Sequence, residues 1–106
     1  MPRIQASLSV AILFAAGCVH DYTFTKSTTQ TLTGKPPTCE FTVTATVPAD
    51  YEEIGILESA GEPAPTLAFF KKGVAEKVCA AGGEVVVGQI DQFGNYRRAA
   101  VFVKKK

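Results

Sequence analysis

Residues 66–90 read TLAFFKKGVAEKVCAAGGEVVVGQI, and the hydrophobic period changes within them. Leu67, Phe70, Val74, Val78 and Ala81 stand three or four apart, the spacing of an amphipathic helix. Lys71, Lys72, Glu76 and Lys77 fill the other side. Thr66 is suited to accept a hydrogen bond at the helix start. Gly82-Gly83 is a stop, because glycine takes the left-handed conformation at a helix end without steric cost. Gly73 is out of place inside the helix, where it costs about 1 kcal/mol relative to Ala. Close approach of the helix to a sheet would account for it. After the stop, EVVVGQI (residues 84–90) places three valines in a row, which predicts a strand covered on both faces and therefore central.

Working outward, DQFGN (residues 91–95) reads as a hairpin turn and YRRAAVFV (residues 96–103) as the next strand. On the other side of the helix, Phe41, Val43, Ala45 and Val47 alternate with Thr42, Thr44 and Thr46, a period of two that predicts a half-buried strand. Pro48-Ala49-Asp50 breaks it. YEEIGILES (residues 51–59) follows as a second strand with Ile54 and Ile56 on one face, and GEPAP (residues 61–65) is a loop. The order β-β-α-β-β predicts an α+β fold, a small mixed four-stranded sheet with one helix packed on one face. The strand–helix–strand passage is expected to be a parallel pair with a right-handed crossover. The other face of the sheet would be partly open, and a partner or ligand could bind there.

Residues 19–38 are Thr-rich, weakly apolar and contain Pro36-Pro37, a composition with little surface to bury. They are expected to form a flexible tether ahead of a domain at 39–106. An edge strand is the alternative, because Tyr22, Phe24 and Lys26 alternate with Thr.

The chain starts with the features of a secretion signal. Arg3 gives a weak positive start, Leu8 to Phe14 form an apolar core broken by Ser9, and Ala15-Ala16-Gly17 are small. The run is too short for a membrane span, which needs about 20 residues. Ala15-Ala16-Gly17-Cys18 resembles the lipobox of bacterial lipoproteins. The resemblance implies a signal peptide over 1–17, lipidation at Cys18 and a membrane anchor through acyl chains. Val19 after the cysteine, by analogy with enterobacterial sorting, implies the outer membrane, with the domain in the periplasm. An ordinary signal peptide with a chance cysteine is the plainer alternative. Two cysteines remain, Cys39 and Cys79, and an even pair in an exported chain predicts a disulfide.

Without Arg3, the 11 Lys and Arg fall to the number of Asp and Glu, 10, so no whole-protein field favours nucleic acid. His20 is the only histidine and lies two residues from Cys18, which leaves a nucleophile in the domain without its usual base. Glu52 and Glu53, as strand neighbours, point to opposite faces. A carboxylate pair joining either of them to Glu84 or Asp91 is conceivable only on paper. Two cysteines and one remote histidine make a poor zinc set. No catalytic residue, metal site or cofactor is expected, and the chain reads as a non-enzymatic domain. On the last strand Arg98 is expected to share a side with Tyr96, Ala100 and Phe102. Tyr96, Arg98 and Phe102 are therefore the candidate partner-binding residues.

Several stretches together carry a further resemblance. Gly17-Cys18, a Pro-containing polar spacer, Glu53-Ile54-Gly55, AAGGEVVVGQI and NYRRAAVF (residues 95–102) run in an order that resembles the RcsF-like envelope stress-sensor lipoproteins of enterobacteria. That family's domain carries two disulfides, whereas the cysteines after Cys18 can form one. The resemblance implies a lipoprotein that contacts another envelope protein and takes part in stress signalling. The alternative function is a lipoprotein domain that binds a small ligand or peptidoglycan through Phe93, Tyr96 and Phe102.

Overall fold

A computed structural model of the chain describes residues 20–106. The expected signal peptide and Cys18 lie outside the described residues. Six elements follow in order: β1 (Tyr22–Lys26), β2 (Thr42–Thr44), β3 (Tyr51–Ser59), α1 (Leu67–Ala80), β4 (Val85–Ile90) and β5 (Tyr96–Lys104). They make one mixed sheet of five strands in the order β1-β3-β5-β4-β2, with α1 against one face. The expectation of four strands is thereby corrected. The fifth is β1, the edge-strand alternative for YTFTK. Its alternation gives the short segment an apolar side, and Tyr22 becomes fully buried although the surrounding composition is polar.

The register shows how the crossover is accommodated. β3 and β4, joined through α1, run parallel but are not neighbours, because β5 lies between them and antiparallel to both. The parallel neighbours are β2 and β4, paired from Thr42↔Val85 to Thr44↔Val87. β2 is shorter than the alternation over 41–47 suggested.

Phe70, Val74 and Val78 of α1 are fully buried against Ile54 and Leu57 of β3, Val86 of β4 and Ala99 and Val101 of β5. Each large apolar side chain removed from water in this way contributes roughly 1.5–3 kcal/mol. The Tyr22 ring closes the core at its β1 side, edge-on to Phe70 with centroids 5.3 Å apart. Gly73 is accounted for here: a Cβ on it would lie 2.5 Å from the His20 carbonyl oxygen. The helix runs so close to the start of β1 that no side chain fits.

At its start, α1 is capped by Thr66, whose hydroxyl accepts from the Phe69 N–H at 3.2 Å. At its other end, Gly82 has φ +75° and donates to Cys79 O at 3.0 Å, while the Gly83 N–H reaches Val78 O at 2.9 Å. These two bonds are a Schellman stop.

Residues 27–41 carry the chain from the β1 edge of the sheet to the β2 edge. They pass the end of the domain where α1 stops and β3 and β4 start. Gln30 donates to Glu52 at 2.7 Å, Leu32 packs on the core, and the Lys35 N–H bonds Cys79 O at 2.7 Å. The Cys39–Cys79 disulfide pins this crossing segment to the last turn of α1, with Cα atoms 5.7 Å apart.

Candidate functional site

The sheet face away from α1 is built from cross-strand rows centred on β5. Arg98 stands between Glu58 of β3 and Gln89 of β4, Ala100 between Ile56 and Val87, and Phe102 between Glu53 and Val85. Threonines border the face, Thr23 and Thr25 on β1 and Thr42 and Thr44 on β2. Its middle is apolar. Val85 and Phe102 are buried, while Ile56, Val87 and Ala100 are half-buried with no helix above them among the described residues.

At one end this face becomes a polar groove of about 470 Å³, lined by Glu58, Gln89, Ile90, Asp91, Arg97 and Arg98. The two arginines differ. Arg97 is held by Asp91, with Nε and Nη2 donating to Oδ2 at 3.2 and 3.1 Å. The Asp91 carboxylate also accepts from the Asn95 and Phe93 amides of the turn. Those donors, the Asn95 amide foremost and the Arg97 guanidinium last, hold its carboxyl below the ordinary range against the opposing effect of burial. Arg98 is exposed, and no hydrogen bond or ion pair of its guanidinium is found among the described residues. Such a fork can take a carboxylate or phosphate in two parallel bonds.

The three candidate partner-binding residues do not share a face. A register shift between Gln89 and Ile90 sets Tyr96 opposite Ile90 and turns its ring toward the helix. There it stacks on Phe70, centroids 4.7 Å apart and planes 15° from parallel. Its carbonyl accepts the Tyr22 hydroxyl hydrogen, and the same hydroxyl accepts from the Ala64 N–H at 2.9 Å. Burial pushes the Tyr22 phenol above its ordinary value, with the Ala64 bond pulling the other way. Arg98 and Phe102 do share the open face. The bulge that separates Tyr96 from them has no mark in YRRAAVFV. Glu58 and Gln89, the neighbours of Arg98, follow from strand register, which local sequence does not reveal.

Elsewhere the carboxylates serve the backbone and the crossing segment. Glu52 accepts from Gln30, Glu53 from the Ser27 hydroxyl at 2.7 Å, and Glu84 from the Lys104 N–H at 2.9 Å. Each is engaged by a different donor. Among the described residues, no group of three or more His, Cys, Asp and Glu gathers as a metal site. His20 packs edge-on against Phe69 with centroids 5.6 Å apart, and its Nδ1 lies 3.2 Å from Glu62 O. A second recess of about 560 Å³ adjoins the disulfide, where Lys71 lies 5.7 Å over the Phe41 ring. Lys35 and Lys71 are offset there by Glu40 and Glu84, so the recess has no net preference for an ion.

No family model matches the chain, and no curated protein or solved structure is significantly similar to it. Among the described residues, no helix is long and apolar enough to cross a membrane.

Proposed function

We propose that this chain is a non-enzymatic interaction domain of the bacterial envelope, anchored by lipid on Cys18 and binding another envelope protein through the open sheet face. The observation that carries the binding role is Arg98, an exposed guanidinium, unpaired among the described residues, at the edge of a half-buried apolar surface. An acidic side chain on the partner suits the guanidinium, and a small apolar side chain suits the surface around Ala100. The anchor is supported by the sequence around Cys18, and the Cys39–Cys79 disulfide is consistent with an oxidising compartment. Stress sensing of the RcsF-like kind is the specific role that the sequence resemblance suggests. A ligand site for cell-wall fragments is the second reading. It has lost part of its basis, because Phe93, Tyr96 and Phe102 occupy three different settings.

A photo-crosslinker at Gln89 tests the interaction in cells, with one at Glu76 on the outer side of α1 as contrast. A discrete protein adduct from position 89 alone, abolished by Arg98→Ala, supports it. Absence of an adduct, or the same adducts from both positions, overturns it. Palmitate incorporation that survives Cys18→Ala overturns the anchor.

A further inference from the structure

Five large hydrophobic side chains stand exposed among the described residues. Val47 lies in the β2–β3 connection, but the other four collect at one end of the domain. Leu67 and Phe69 belong to the first turn of α1, Ile90 ends β4, and Phe93 is in the β4–β5 turn, 75% exposed. The Ala64↔Tyr96 bridge ties the start of α1 to the start of β5 at this end.

The chain also begins its described course here. Tyr22 pairs with Ser59, the last residue of β3, and His20 sits on Phe69. Cys18 is two residues earlier in the sequence, and two trans peptides reach no more than about 8 Å. Because β1 starts at Tyr22, the described chain leaves almost no slack between an anchor at Cys18 and the folded domain.

We propose that this end of the domain docks into the lipid surface, with Phe93, Ile90, Phe69 and Leu67 entering the interface beside the acyl chains of Cys18. The proposal rests on the lipid-anchor reading. Apolar side chains held against a bilayer partition into its interface in proportion to the area they bury. Charge at this end is mixed: Asp91 is paired with Arg97 and Asp21 with Lys77, Glu58 stands in register with Arg98, and Glu62 is exposed in the loop before α1, so these groups stay at headgroup level while the apolar side chains enter. The strands then stand upright on the membrane, and the Cys39–Cys79 end faces away from it.

The chain contains no tryptophan, so Phe93→Trp supplies a single reporter, and Lys105→Trp supplies another at the opposite end. Each full-length lipoprotein, purified from cells, is reconstituted into phosphatidylethanolamine–phosphatidylglycerol vesicles with brominated acyl chains. Docking predicts blue-shifted, bromine-quenched emission from position 93 and unquenched emission from position 105. Protein that floats with the vesicles but gives unquenched emission at 93 overturns docking and leaves the anchor standing. Protein that does not float overturns the anchor and docking together. Shielding of position 93 in native membranes but not in these vesicles identifies a protein contact there and overturns docking.

Discussion

The carbonyl oxygen of His20 occupies the space where residue 73 would carry a side chain, 2.5 Å from the Cβ position of Gly73. The helix and the start of the edge strand are thus fitted backbone to side. Ordinary helix propensity favours Gly73→Ala by about 1 kcal/mol. The clash reverses the sign. The substitution is expected to lower the urea midpoint and to release β1 first, seen as loss of hydrogen-exchange protection over 22–26. A raised midpoint would contradict the packing described here.

The disulfide closes a loop of sequence separation 40. By the chain-entropy estimate, such a loop contributes about 4 kcal/mol by restricting the unfolded chain. The Cys39→Ser, Cys79→Ser double variant is therefore expected to unfold at much lower urea, and reduction of the native protein should match it. Equal midpoints with and without reductant would show that the crossing segment is held by other contacts.

Tyr22→Phe removes the hydroxyl that joins Tyr96 O and the Ala64 N–H, leaving a buried donor and acceptor unpaired. A cost of about 1–3 kcal/mol is expected. The phenol's ordinary value is 10.0 and its folded value lies higher, so above that pH the unfolded chain gives up its proton first. Its contribution is full below pH 10.0 and is lost as pH rises through the folded value. Stability measured against pH should fall on the alkaline side more steeply in the native protein than in Tyr22→Phe. Parallel alkaline limbs would assign the loss to other groups.

Asp91 has the opposite sign. Its folded carboxyl lies below the ordinary value, so the turn is supported above that value and loses support as pH falls through the lowered one. Amide exchange at Phe93 and Asn95, corrected for intrinsic rate, should speed up in acid. In Asp91→Asn it should be faster already at neutral pH and nearly flat with pH. Unchanged protection in the variant would show that the backbone bonds, Asp91 N–H to Asn95 O and Gly94 N–H to Asp91 O, hold the turn without the carboxylate.

Arg98→Ala is expected to leave stability within about 0.5 kcal/mol, because the side chain is exposed and unpaired among the described residues. Loss of the Gln89 crosslink together with unchanged unfolding would assign Arg98 to recognition. Loss of both would assign it to the fold.

What could be read from the sequence depended on how far apart the interacting residues lie. The helix over Leu67–Ala80 and its glycine stop were legible because their determinants are local: a period near 3.6, a capping threonine and Gly82-Gly83. The pairing of Cys39 with Cys79 was legible because, with Cys18 assigned to the expected lipobox, these two cysteines were the pair left. β1 was legible only as an alternative, since five alternating residues carry little signal beside a Thr-rich neighbourhood, and their pairing with β3 is long-range. The candidate site suffered most. A one-residue bulge moved Tyr96 to the helix side, and no residue within YRRAAVFV announces it.

Both edges of the sheet come from the early part of the chain, and both of their partners come later. A chain made from its N-terminus presents YTFTK before β3 exists, and TVT well before β4 does. Cys39 likewise waits 40 residues for Cys79. The first half of the domain thus spends its synthesis as unpaired strand segments and a free thiol, the state in which chains join wrong neighbours. Threonine and lysine in place of longer apolar runs keep those waiting edges wet. The composition that resembles a spacer is thus also one that suits an edge whose partner comes later in the chain.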